Sequence, residues 1–175
     1  SGSTRVLKLM NRGYSKEQYI ALAEKIKERI PGVSLTADII VGFPQETEED
    51  FMDTLDVVEK VGFETSFMFM YSIRKGTKAA VMEGQIDDEV KKDRLHRLMS
   101  LQNSISKKLS MEYEGKTERV LVEGPSKKNK DMLSSRTSTN KIVLFKGEPS
   151  LEGQFVNVKI KECKTWTLYG ELAEK

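Results

Sequence analysis

The chain has 175 residues, with 29 Lys and Arg against 27 Asp and Glu, a formal net charge of +2. Its 38% hydrophobic and 32% charged content suits a folded core and excludes a wholly disordered chain, and the length allows one domain or two small ones. The longest apolar run, residues 39–43, is far too short to cross a bilayer, and no basic stretch followed by an apolar one marks a signal peptide. Ser1-Gly2-Ser3 reads either as a cloning scar or as the start of the fold.

Residues 16–30 carry Tyr19, Ile20, Leu22, Ala23, Ile26 and Ile30 near helical spacing. Ser15 is a suitable N-cap, Gln18 completes a capping box, and Pro31-Gly32 stops the helix. Residues 33–43 (VSLTADIIVGF) are β-branched and nearly continuous, which predicts a buried strand ended by Gly42-Phe43-Pro44. Thr47 and Asp50 can open the next helix, whose apolar stripe is Phe51, Leu55, Val58 and Val61; Gly62 ends it. A second buried strand is predicted over residues 65–72, then a loop over 74–84. A long helix runs from Asp87 or Asp88 to about Met111, carrying Val90, Leu95, Leu98, Leu101 and Ile105.

Helix, strand, helix, strand, helix is βα logic with parallel strands. Two parallel strands do not make a sheet buried on both faces, so residues 1–110 are expected to be part of a larger barrel or open sheet. Strand edges and apolar faces are then exposed, and a second copy could pair with them as a homodimer. After Gly115 the texture changes. Residues 116–123, 141–145, 154–161 and 166–172 are short and β-rich, with a weaker strand within 133–138. This predicts a small OB-like antiparallel barrel over residues 111–175. The fold class is therefore α/β followed by all-β.

Cys163 is the one cysteine and His96 the one histidine. That fits a reducing compartment such as the cytoplasm, and it cannot supply a structural zinc site or a four-iron cluster. Cys163 reads as packing and His96 as a surface or boundary residue. Charge is unevenly spread. Residues 1–107 are net −1 and residues 108–175 net +3, while 127–146 alone is +5, with Lys127, Lys128, Lys130, Arg136, Lys141 and Lys146 against Asp131. Such a block is either a polyanion-binding patch or a solvated loop.

In parallel α/β architectures ligands sit at the carboxyl ends of strands. Asp38, within an apolar strand, needs a partner there. It either accepts hydrogen bonds from a bound hydroxyl or amine, or pairs with a neighbouring base or helix end. Gly42 lets backbone approach a flat ligand. The Arg74-Lys75-Gly76-Thr77 loop is suited to phosphate, and Arg12 points a carboxylate-binding fork to the same end. No hydrolase triad and no phosphate-loop pattern is present. A hydrolase using Asp38 and Glu46 would need a supporting base beside them, and none is visible.

The segments SGSTRVLKLMNRGYS, SLTADIIVGFPQETEEDF, FMFMYSIRKGTKAA, EVKKDRLHRLMSLQNSIS, LVEGPSKKNKDMLSSRTSTNKIVLF and VKIKECKTWTLYGEL resemble the tRNA-modifying methylthiotransferases of the radical SAM enzymes. The resemblance covers essentially the whole chain, in order. It implies the second half of a radical SAM barrel followed by a TRAM domain, a small RNA-binding barrel. It implies addition of a methylthio group to carbon 2 of N6-isopentenyladenosine beside the tRNA anticodon, with S-adenosylmethionine and two 4Fe-4S clusters in the full-length enzyme. The cluster-binding CxxxCxxC would precede Ser1, so this chain alone is expected to be inactive and to need the N-terminal domains of the same protein.

By the same resemblance, Ser1 belongs to a turn lining the S-adenosylmethionine site, which argues against a scar. Arg12 meets the methionine carboxylate, Asp38 the ribose hydroxyls and Ile40 the adenine, with Gly42 in the same strand-end motif. Lys127, Lys128, Lys130, Arg136, Asn140 and Lys141 become candidate contacts to the anticodon stem-loop, and Phe145 or Trp166 candidate stacking partners for bases. No catalytic residue and no metal ligand is assigned. Gln45 departs from the family's usual glycine, and Ile73, Lys75 and Lys78 stand where prolines are common. A sister branch acts on a ribosomal-protein aspartate, but its barrel is expected to be more acidic. A non-catalytic RNA-binding module is the remaining alternative.

Overall fold

The structure is a computed structural model describing residues 1–173. It divides into two units, the first Ser1–Ile105 and the second beginning at Ser106. Among the described residues no helix is long and apolar enough to cross a membrane.

The first unit opens with a helix that the apolar pattern does not announce, α1 (Thr4–Leu9), capped by the Ser3 hydroxyl. Asn11 takes a left-handed φ of 57°, its N–H reaches the Lys8 carbonyl, and the Arg12 N–H reaches the Leu7 carbonyl at 2.8 Å. This is a Schellman stop with Asn in the usual glycine position. The capping box of α2 (Lys16–Arg29) forms as Ser15 and Gln18 predict. So does that of α3 (Glu48–Val61), from Thr47 and Asp50, and Gly62 closes the helix at φ 60°.

The strands β1 (Thr36–Val41) and β2 (Thr65–Met70) pair in parallel, with Thr36 opposite Thr65 and Val41 opposite Met70. Both are shorter than expected, and neither is buried on both faces. Ile39 and Val41 pack into a core with Phe51, Val58, Val61, Phe63 and Leu98. The opposite face holds Asp38, Phe67 (65% exposed) and Phe69 (52% exposed). The helices cover one face only, so the other is open.

The helix α4 (Asp88–Met111) begins in this unit. Leu95, Leu101 and Ile105 pack at the core margin and Leu98 within it, but Val90 is exposed. The most buried side chains of α4 here include the polar Lys91, Arg94 and Gln102. Gln102 is satisfied in place: its amide donates to the Phe63 carbonyl at 2.8 Å and accepts from the Ser66 hydroxyl at 2.9 Å.

The second unit holds a closed barrel of β3 (Thr117–Pro125), β4 (Leu133–Thr137), β5 (Ile142–Phe145), β6 (Phe155–Cys163) and β7 (Thr167–Leu172), in the order β3-β4-β5-β7-β6. Alternate residues Val120, Val122, Leu133, Val143, Phe145, Val158, Ile160 and Leu168 fill its interior. Closure removes free strand edges, and alternation leaves every second residue to solvent. The expected antiparallel pairing is modified at β5 and β7, which run parallel. The cause is that β6 pairs with β3 rather than β5, so the chain crosses the barrel end before β7 returns beside β5. Phe145 is core and carries no base contact, whereas Trp166 is exposed. Cys163 packs at the edge of this core, and burial raises its thiol pKa. His96 is exposed, as expected.

Candidate functional site

The carboxyl ends of β1 and β2 open into a cleft of about 940 Å³. Residues two apart on a strand share a face, so Asp38 and Ile40 both look out from the open face of β1. In register, Asp38 lies opposite Phe67 and Ile40 opposite Phe69. Ser1, Arg12, Asp38 and Ile40 all line the cleft. Arg12 and Asp38 are exposed and have no ion pair or hydrogen-bonded side-chain partner among the described residues. Asp38 was expected to need a partner because of burial. It is not buried, since no helix covers that face, and its carboxylate stays available.

The start of the chain is part of the fold. The Gly2 N–H donates to Thr54 Oγ1 at 2.8 Å, and a Cβ on Gly2 would lie 2.6 Å from the Asp53 carbonyl oxygen. Only glycine lets this segment lie flat on α3, which carries Ser1 to the cleft wall.

Gly42 is placed differently from the expectation. It does not line the cleft. Its φ is 72°, and a Cβ there would lie 2.3 Å from Lys91 Cγ. Glycine is needed for the left-handed turn and for the Lys91 stem above it. The turn is held by Glu46, whose Oε1 accepts the Gly42 N–H at 2.8 Å and Arg94 Nη1 at 2.9 Å. Burial pushes the Glu46 carboxyl up, against the lowering pull of Gly42 and Arg94. Glu46 is therefore a turn clamp and not a second cleft carboxylate, which removes the pairing a hydrolase would need. Gln45 adopts φ 68°, which explains why glycine suits this position.

Phe69 and Tyr71, which the sequence places in a buried strand as core-type residues, line the cleft with Arg74 instead. Phe67 and Phe69 alternate onto the open face of β2. Tyr71 packs edge-on to Phe43 at 5.2 Å, and its buried hydroxyl has no hydrogen-bond partner.

In the second unit, Lys127, Lys128 and Lys130 stand exposed in the β3–β4 connection, without an ion pair among the described residues. Arg136 is partly spent: Nε meets Glu123 at 3.0 Å, and Nη1 donates to Asn140 Oδ1 at 2.9 Å. Asn140 holds a left-handed turn at φ 66°. Lys141 departs from the expectation. It is 6% exposed, and its ammonium donates inward to Ser110 Oγ at 2.6 Å. Strand alternation sends it into the unit, so it is not part of an exposed basic set.

Among the described residues no group of three or more His, Cys, Asp and Glu could hold a metal ion. With Cys163 as its one cysteine, the chain does not fit an iron–sulfur cluster.

Residues 1–58 match the radical SAM superfamily and residues 111–173 the TRAM domain. A tRNA-2-methylthio-N(6)-dimethylallyladenosine synthase of Fusobacterium nucleatum is 69% identical over 98% of this chain, which spans 40% of that relative. A protein of the same name from Acetivibrio thermocellus is 56% identical over 98% of the chain, which spans 36% of it. One from Anoxybacillus flavithermus is 55% identical over the full chain, which spans 33% of it. The two family matches follow one another along the chain, and the chain is similar to these synthases over nearly all of its own length while spanning less than half of theirs.

Proposed function

We propose that this chain serves a radical SAM tRNA methylthiotransferase, with N6-dimethylallyladenosine as the substrate that its relatives' names suggest and a position next to the anticodon as the family resemblance implies. The observation that carries this reading is the pairing of an unpartnered guanidinium, Arg12, with an unpartnered carboxylate, Asp38, in one cleft with an apolar Ile40 wall. That donor set fits S-adenosylmethionine. Arg12 would fork onto the carboxylate. Asp38 would accept from the ribose hydroxyls, and Ile40 would pack on the adenine. When bound, the group supplies the radical chemistry of the superfamily. The residues of this chain bind its two ends, orient it against the strand ends and exclude water over Ile40. Iron–sulfur clusters, two by family resemblance, would be held by other parts of the full-length protein.

The Lys127, Lys128 and Lys130 loop would meet tRNA phosphates, which favours RNA over a ribosomal-protein substrate. Arg136, turned toward Glu123, contributes less. The free edges of the β1–β2 sheet would accept further strands of the same protein, or those of a second copy. A cytoplasmic location follows from a tRNA substrate.

The test uses the full-length protein. Asp38→Ala should weaken S-adenosylhomocysteine binding at least tenfold in equilibrium dialysis while leaving tRNA affinity unchanged. Replacing Lys127, Lys128 and Lys130 together by Glu should do the reverse and flatten the salt dependence of tRNA binding. Unchanged cofactor affinity in the first variant removes the cofactor assignment, and unchanged tRNA affinity in the second removes the loop from the RNA interface.

A further inference from the structure

Arg12, Asp38 and Ile40 occupy the α1 and β1 side of the cleft. The β2 side has its own chemistry, which the cofactor reading leaves unused. Phe69 is 52% exposed, lines the cleft and stands directly opposite Ile40 in the parallel register. The Tyr71 N–H donates to the Val41 carbonyl at 2.8 Å, carrying the ladder one residue past β2. Beyond it, Ser72 and Arg74 also line the cleft. Arg74 is exposed, and its guanidinium has no ion pair among the described residues.

The Arg74 backbone, in contrast, is fixed. Its carbonyl accepts the Thr77 hydroxyl at 2.8 Å and the Thr77 N–H at 3.3 Å, around Gly76 at φ 82°. A short 3-10 turn, Lys78–Val81, follows. It is tied by Gln85 Nε2, which donates to the Ala79 and Met82 carbonyls at 2.9 Å each. A free cation on a pinned turn, a few residues from an exposed aromatic face, is the pairing that recognises a nucleotide: phosphate on the guanidinium, base on the ring.

We propose that the β2 strand end is the recognition wall for the nucleotide to be modified, a purine turned out of single-stranded RNA. Phe69 stacks on the base, and Arg74 binds an adjacent backbone phosphate. The register then sets the geometry. Phe69 and Ile40 sit side by side on neighbouring strands, so the stacked base and the adenine over Ile40 share one open sheet face. Charge favours this occupant over an apolar segment of protein, because Arg74 has no anion of its own and Lys75 adds a second exposed cation beside it.

The proposal rests on the methylthiotransferase reading, so its test separates the two. The full-length protein is titrated with fluorescein-labelled anticodon stem-loop RNA carrying N6-isopentenyladenosine, and with the same loop abasic at that position. S-adenosylhomocysteine binding is measured in parallel. Phe69→Ala should weaken binding of the modified loop at least about fivefold, the low end for losing one base–aromatic stack. Phe69→Tyr should restore it. The abasic loop should bind wild type and Phe69→Ala equally. Arg74→Ala should weaken both RNAs and lower the salt slope by about one unit. S-adenosylhomocysteine affinity should stay within about twofold in Arg74→Ala.

A Phe69→Ala penalty that persists on abasic RNA overturns the stacking role. A Phe69→Ala variant with normal RNA affinity and a lowered Tm means that a protein segment covers the ring, which also overturns it. Arg74→Ala with unchanged affinity and salt slope removes the phosphate contact. Failure of wild type to bind S-adenosylhomocysteine is a different outcome and counts against the parent reading.

Discussion

Asp50 ties the start of the chain to α3, and replacing it by Asn tests how the cleft is built. One carboxylate oxygen, Oδ2, accepts the Thr47 N–H at 2.8 Å and the Thr47 hydroxyl at 3.0 Å, completing the capping box. Oδ1 accepts the Ser3 hydroxyl and, at 3.3 Å, Arg5 Nε. Arg5 also forms an ion pair with Oδ2. Asn keeps one acceptor oxygen and turns an NH2 toward the remaining donors. If its oxygen faces Thr47, the cap survives and Ser3 must reverse its hydroxyl, while Arg5 loses its charge partner. Arg5 is half exposed and turns to water at a cost of about 0.5–1 kcal/mol. The disrupted buried contact at Ser3 costs about 1–2 kcal/mol. The expected loss is about 1.5–3 kcal/mol, measured as a lower urea midpoint at unchanged m-value.

The pH dependence has a fixed sign. Burial alone would raise the Asp50 carboxyl, but donation by Arg5, Ser3 and Thr47 outweighs it and holds the group well below its ordinary value. A depressed folded-state pKa contributes stability that is present above the unfolded value, about 4, and is lost as pH falls through the folded one. The difference between wild type and Asp50→Asn should therefore be full at pH 7 and shrink below about pH 4. A loss under about 0.5 kcal/mol, or one as large at pH 3 as at pH 7, refutes this account.

Two further substitutions probe the β1 turn. Gly42→Ala places a Cβ 2.3 Å from Lys91 Cγ at φ 72°, and should cost about 2–4 kcal/mol from backbone strain and overpacking together, read from urea unfolding. A cost under about 1 kcal/mol would mean that the Lys91 stem moves aside freely. Gln45→Gly relieves a left-handed φ of 68° and should raise stability by up to about 1 kcal/mol, read as an increase in Tm. A drop of similar size would show that the Gln45 side chain, against Gly84 and the Glu83 carbonyl, outweighs the strain.

How far the sequence reveals the molecule depends on which physical signal each element carries. Capping boxes are local, so Ser15 with Gln18 and Thr47 with Asp50 announce their helices directly. The barrel strands are equally plain, because a half-buried strand must alternate. In contrast, α1 is six residues long, too short for an apolar period, and only Ser3 and Asn11 mark its ends. The open face of the β1–β2 sheet is hidden for another reason. Val, Ile, Phe and Met look the same whether a helix covers them or not, so from sequence Asp38 reads as buried among them. Lys141 and Arg136 show the limit of counting charge. Local sequence gives both as free cations, yet one points inward to Ser110 and the other is paired across strands with Glu123.

The buried polar stripe of α4 joins these observations. A helix chosen for stability alone would place Leu or Ile at Lys91 and Arg94, because a buried ion pair rarely outperforms apolar packing of the same volume. Here Arg94 holds Glu46 by side chain and by backbone carbonyl, at 2.9 and 3.1 Å, and Glu46 in turn takes the Gly42 N–H. Glu46 Oε2 remains buried with no hydrogen-bond partner, which apolar residues would avoid. What the ion pair supplies is direction. Hydrogen bonds fix the orientation of the Gly42 peptide, and the Lys91 stem closes the space above its Cα. Together they set where β1 stops and how its open face, with Asp38 and Ile40, meets the cleft. Apolar packing could match the stability but could not aim that peptide, so the polar face of α4 is explained by the position of the strand end rather than by the strength of the core.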